Sequence, residues 1–170
     1  MFKNILTLVA AVIGVTSSAG IASAVDVPVV GNVEAKCVIV TDTPGVYGNP
    51  TPSELSTDAA DGGVTPIIRY DVIQANFYKA VITTPVSFSS SPTLSDVVNW
   101  QGLVEVSSVS DAGMSAYDND KRTYENVTEF DLTIAGSTWF KATTKADYGY
   151  NKAFPSGTYR AVVNAECIAL

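Results

Sequence analysis

Val25-Asp26-Val27-Pro28-Val29-Val30-Gly31-Asn32-Val33-Glu34-Ala35-Lys36-Cys37-Val38-Ile39 carries apolar or small residues at every odd position, with Asp26, Asn32, Glu34 and Lys36 among the even ones. That period of two predicts a strand with one buried face. As a single strand these residues would run ~50 Å at ~3.3 Å each, beyond both the usual strand and the depth of a small domain. Pro28 and Gly31 also interrupt the run. The expectation is therefore two pieces: a strand over 33–39 that belongs to the domain, and an extension over 25–32 whose apolar face has no local partner. Such an extension is disordered, folds back, or adds as a strand to another molecule.

The other end of the chain repeats the pattern. Tyr159, Ala161, Val163, Ala165, Cys167 and Ala169 share one face of a predicted terminal strand, with Arg160, Asn164 and Glu166 on the other. Cys37 and Cys167, the only cysteines, both fall on inward faces. In an oxidising compartment two cysteines are most simply one disulfide, with two buried, distant free thiols as the alternative. Between the ends, strands are expected over 67–73, 76–88 (interrupted at Pro85) and 103–109, and over 129–135 and 137–143, which flank Gly136 as a tight hairpin. Residues 44–63 and 111–125 read as polar loops, and 94–100 as a helical turn capped by Ser95 or Thr93. About seven short strands separated by turn signals indicate an all-β sandwich.

Residues 1–24 read as a secretory leader: Lys3, an apolar stretch over 5–15 too short to span a bilayer, and Ala22-Ser23-Ala24 as a cleavage site. The expected organisation is leader 1–24, extension 25–32 and domain 33–170. The mature chain is expected to be exported through the periplasm to the cell surface, without membrane insertion. The chain of 170 residues has no His, which excludes Ser-His-Asp and Cys-His catalysis and His-ligated zinc. A net charge of −7 argues against nucleic acid as a partner. No Ser lies in a G-x-S-x-G elbow, and no catalytic residue, metal site or cofactor is expected.

Four segments carry a family resemblance: the alternating Val-rich start at 24–35; Ile67-Ile68-Arg69-Tyr70 with the strands after it; Ser91-Pro92-Thr93-Leu94-Ser95-Asp96-Val97-Val98-Asn99; and Pro155-Ser156-Gly157-Thr158-Tyr159-Arg160-Ala161-Val162-Val163. In this order and spacing the chain resembles the major pilins of the alpha-type (class 5) chaperone–usher fimbriae. It departs from them in having cysteines and in the polar 111–125 region. The resemblance implies an incomplete immunoglobulin-like sandwich that lacks its last strand. It implies a donor strand with Val25, Val27, Val29 and Val33 facing inward, and a groove edged by Ala35, Ile39, Tyr159, Ala161, Val163 and Ala165. It also implies a periplasmic chaperone, an outer-membrane usher and neighbouring subunits as partners, in a fimbrium serving adhesion or biofilm formation.

Other constellations have plainer readings. Asp118-Asn119-Asp120 with Glu125 lacks the Gly and bidentate Glu of a calcium loop and reads as a solvated turn. Asn126-Val127-Thr128 is a glycosylation sequon. Tyr148, Tyr150, Phe154, Trp139 and Phe140 are either a sugar-stacking platform or core aromatics. The alternative function is a secreted, monomeric β-sandwich that binds carbohydrate or matrix.

Overall fold

A computed structural model of the chain describes residues 28–31 and 36–170. The chain divides into Met1–Val33 and Glu34–Leu170. Of the first unit, residues 28–31 carry no regular structure, and Val29 and Val30 are 96% and 90% exposed. In the second unit the strands follow in the order β1 (Cys37–Thr43), β2 (Gly48–Thr51), β3 (Glu54–Ser56), β4 (Ile67–Val72), β5 (Tyr78–Thr83), β6 (Asn99–Val109), β7 (Arg122–Tyr124), β8 (Val127–Leu132), β9 (Gly136–Asp147) and β10 (Asn164–Ala169). A short helix, α1 (Tyr117–Asp120), precedes β7.

All strand pairs are antiparallel. One sheet runs β1-β4-β9-β3-β2, with β6 on the other side of β9; the second runs β10-β5-β8-β7. The long β9 organises the first sheet: its first half pairs β4 and its last residues pair β3. The expected all-β sandwich is present as two facing antiparallel sheets. Period-two patterning explains the core. Ile68, Tyr70 and Val72 alternate inward from β4; Tyr78, Ala80 and Ile82 from β5; Phe130 and Leu132 from β8; Phe140 and Ala142 from β9. The Phe130 and Phe140 rings, 4.4 Å apart between centroids, join the two sheets, and Tyr70 meets Phe140 edge-on at 5.5 Å.

Four sequence expectations are corrected. Residues 129–143 do not form a hairpin: β8 and β9 lie in different sheets, and the turn before Gly136 (φ 138°) is a crossover between them. The alternation on either side of Gly136 is real, but facing inner surfaces show the same pattern as hairpin arms. Residues 44–63 are not one loop; they contain the β2–β3 hairpin and a 3₁₀ turn at Ala59–Asp61 capped by the Asp58 carboxylate. Residues 94–98 form no helical turn. The Ser95 N–H and hydroxyl meet the Tyr148 hydroxyl at 2.9 and 3.1 Å, which ties a bend at Ser95 and Asp96 to the residue after β9.

The fourth correction shapes the flanks of the sandwich. Residues 111–125 fold as a 3₁₀ turn (Ala112–Ala116), α1 and β7. Met114 and Tyr117 are buried, and the Tyr117 hydroxyl accepts the Ile134 N–H at 3.0 Å. Within β6, Val104 and Val106 turn their backbone away from β9. The Asp118 carboxylate accepts the Val106 N–H at 3.1 Å, and Lys121 Nζ donates to the Val104 carbonyl at 2.9 Å. Asp118 and Lys121 also pair with each other at 3.3 Å. The turn expected to be solvated is a polar plug on an edge strand. Asp118→Ala strips the acceptor from Val106, and chemical denaturation should show a loss of about 1–2 kcal/mol, with Asp118→Asn losing less.

Candidate functional site

The opposite flank of the sandwich carries no such plug. β1 ends the first sheet and β10 ends the second, and the two edges lie side by side, joined by the Cys37–Cys167 disulfide. The bridged strands belong to different sheets, so the bridge joins the two sheets at the margin of the sandwich. Its Cα atoms are 6.4 Å apart.

Backbone parity shows what each edge presents. In an antiparallel ladder the N–H and C=O of one residue point the same way. The Ile73 N–H donates to the Lys36 carbonyl at 3.2 Å, which assigns Lys36, Val38 and Val40 to the β4 side. The backbone groups of Cys37, Ile39 and Thr41 therefore face outward. Likewise, the Leu170 N–H donates to Phe77 at 3.0 Å, which places Leu170, Ile168, Glu166 and Asn164 against β5. Ala165 and Cys167 face outward from β10. Among the described residues no backbone hydrogen bond crosses from 37–47 to 157–170. Two rows of donors and acceptors thus face one opening.

The side chains nearest the bridge are apolar, and further along threonines join them. Cys37, Ile39, Val163, Ala165 and Cys167 pack partly buried against the core. Further along, Thr41, Pro44, Ile68, Pro66, Ala161 and Val163 line a cavity of about 250 Å³. It shares Gly45, Tyr47 and Ala161 with a neighbouring cavity of about 420 Å³, also lined by Leu55, Gly157 and Tyr159. Together they make a groove between 41–47 on one wall and 157–163 on the other, and Ile39, Ala165 and the disulfide lie beyond its inner end.

Tyr70 joins the two sheets beneath these edges. Its buried ring sits in β4, and its hydroxyl reaches the Glu166 carbonyl of β10 at 3.1 Å and the Val81 carbonyl at 3.4 Å. Burial, and secondarily the Glu166 charge, push this hydroxyl far above the usual tyrosine range, with the backbone hydrogen bond pulling the other way. At the far end, burial raises Tyr47, against the Thr144 hydroxyl bond. Phe88 packs edge-on against Tyr47, Trp100, Phe154 and Tyr159, and so anchors the outer wall there.

Of the expected site residues, Tyr159, Ala161 and Val163 line the cavities, and Ile39, Ala165, Cys37 and Cys167 pack partly buried near their inner end. The terminal strand was expected from Tyr159; its ladder begins at Asn164. The stretch before it is held instead by a bridge from Arg160 to Ser90, because Pro85 ends β5's ability to pair. Tyr159, Ala161, Val163, Ala165 and Ile39 line or flank the groove. Ala35, Val25, Val27 and Val33 lie outside the described residues. Pro44, Gly45, Tyr47 and Pro66 were missed, since nothing in a Pro- and Gly-rich connection marks one side of it as a wall.

The sugar platform does not form. Phe140 and Tyr148 are buried, Phe154 stacks on Tyr148 at 5.2 Å, and Trp139 lies on the outer face of the first sheet under Arg69. Asn126 uses its amide to donate to the Thr84 carbonyl at 2.7 Å. Among the described residues no cluster of three or more acidic or Cys side chains gathers to hold a metal, and no helix is long and apolar enough to cross a membrane. No protein-family model, curated protein or solved structure matches the chain.

Replacing both Cys37 and Cys167 with Ala should cost about 5 kcal/mol at the chain-entropy limit, given the separation of 130 positions, and a loss under about 1 kcal/mol in denaturant titration would contradict that closure. Tyr70 makes a pH test. Its folded-state pKa is raised, so its contribution is full below the unfolded value of about 10 and is lost as pH rises toward the folded value. Stability should fall above pH ~10 with a component of ~1.4 kcal/mol per pH unit from this residue. Tyr70→Phe should be less stable at pH 7 and lose that component.

Proposed function

We propose that this chain is a subunit of an extracellular fimbria, assembled by donor-strand exchange. Its domain is an immunoglobulin-like sandwich without its last strand, and residues 25–33 of one copy complete the sandwich of the next. The observation that carries the reading is the open flank: two strand edges with outward-facing backbone groups, side by side at a groove lined by apolar and threonine side chains, while the opposite flank is plugged by Asp118 and Lys121.

The guest is drawn from the same sequence. Val25, Val27, Val29 and Val33 would present one apolar face, and Val29 is almost wholly exposed. Burying each Val contributes roughly 1.5–3 kcal/mol, and the inserted backbone satisfies both edges together. The same groove would be covered by a periplasmic chaperone before assembly, and an outer-membrane usher would exchange that cover for the next subunit. Residues 1–24 act as the export signal in this scheme. The contact is head-to-tail and does not close on itself, so it builds an open filament.

Deleting residues 25–30 from the exported chain should abolish filaments seen by electron microscopy of expressing cells, while the disulfide-bonded domain is still recovered from the periplasm. Filaments formed by the truncated chain would refute donor-strand exchange.

A further inference from the structure

We propose that the Cys37–Cys167 bridge is the end stop of the groove and sets both the direction and the register of the inserted strand. The inference rests on the donor-strand reading above and adds which end of the guest lies where.

A strand seated between two others needs about 9.5 Å between its neighbours, twice the usual spacing. At the bridge the two walls are only 6.4 Å apart. No extended backbone passes between Cys37 and Cys167. The wall from Ala165 back to Gly157 has nine positions, of which 157–163 line the cavities, and residues 25–33 supply nine. Once the leader is removed, that guest has one free end at Val25. Its other end is tied to its own domain through 34–36. A free terminus can stop at the bridge, whereas a three-residue tether leading to a whole domain has no path past it. Val25 therefore abuts the bridge, and the guest runs parallel to β1 and antiparallel to β10.

The register follows by steps of two. Val25 lies beside Ala165, Val27 beside Val163 and Val29 beside Ala161. Gly31, the one guest position on this face without a side chain, then meets Tyr159, whose ring is fixed against Phe88 and Phe154. The missing side chain of Gly31 is matched by the ring of Tyr159, a match that a shift of two positions would destroy by setting a Val against that ring.

The test uses the oxidised full chain, refolded with competing synthetic peptides whose retention is counted by native mass spectrometry. The peptides are residues 25–33, the same with Thr-Val added before Val25, and residues 25–35. The end stop predicts that 25–35 competes as well as 25–33, and that the N-terminally extended peptide is retained roughly tenfold less. It also predicts that this penalty disappears in the Cys37→Ala/Cys167→Ala chain. Equal retention of the N-terminally extended peptide by the oxidised chain overturns the end stop and leaves donor exchange standing. Retention of none of the peptides refutes donor exchange itself, and the end stop with it. Should the double variant not fold, a photoreactive group at position 25 of the reference peptide decides the matter. Cross-links to Ile39 or Ala165 support the end stop, and cross-links to Tyr47 or Gly157 overturn it.

Discussion

A β-sandwich has a flank problem. The outermost strands of its two sheets carry backbone groups that must be satisfied, and a margin where the apolar interior meets water. This chain treats its flanks in opposite ways. Along β6 the carboxylate of Asp118 and the ammonium of Lys121 occupy the outward N–H and C=O of Val106 and Val104, and Met114 and Tyr117 seal the margin beneath. Along β1 and β10 there is one covalent staple at one end, and then a groove. One edge is capped by its own side chains and the other is left open, so the sandwich has a single directional surface.

The groove is held open rather than left loose. The disulfide fixes the two edges at one end, the Phe88-centred aromatic cluster fixes the wall at the other, and the Tyr70 hydroxyl bonds from β4 across to the backbone of β10. The disulfide and the Tyr70 hydroxyl tie one sheet to the other, and the aromatic cluster packs the connecting segments against the end of the first sheet. A guest then meets walls already placed, and less of its binding energy is lost to ordering the host. Ionising Tyr70 would place a charge in the buried core, and that burial raises its pKa.

The strands that face the core were legible because their period survives in sequence. Ile67–Val72 alternates inward and outward as its composition dictates, and the two cysteines fall on the inward phase of their strands. What the period cannot encode is the partner. Phe130 and Phe140 flank Gly136 with the phase of a hairpin, yet they face each other across the interior, since a crossover between sheets preserves inward phase as well as a turn does. The groove was half legible. Its β10 wall follows from alternation, but its other wall is built from Pro44, Gly45 and Tyr47, residues that register only as breaks in pattern. Asp118 was misread for a related reason: a carboxylate spent on a strand edge and one spent on water look alike in sequence.

The direction imposed by the bridge also bears on why one copy would serve another instead of itself. β1 begins at Cys37, at the closed end of the groove. With Val25 at the bridge, Val33 would lie at the open end, ~30 Å away along the groove. From Val33 to Cys37 the chain has four steps, which span at most ~14 Å. A guest in that direction cannot be the chain's own extension, because the tether is too short to return to the start of β1. It can be the extension of a second copy, whose domain then sits beyond the open end. The bridge that stops the strand would thus also forbid self-closure in the same orientation. A head-to-tail contact that cannot close within one copy propagates from copy to copy.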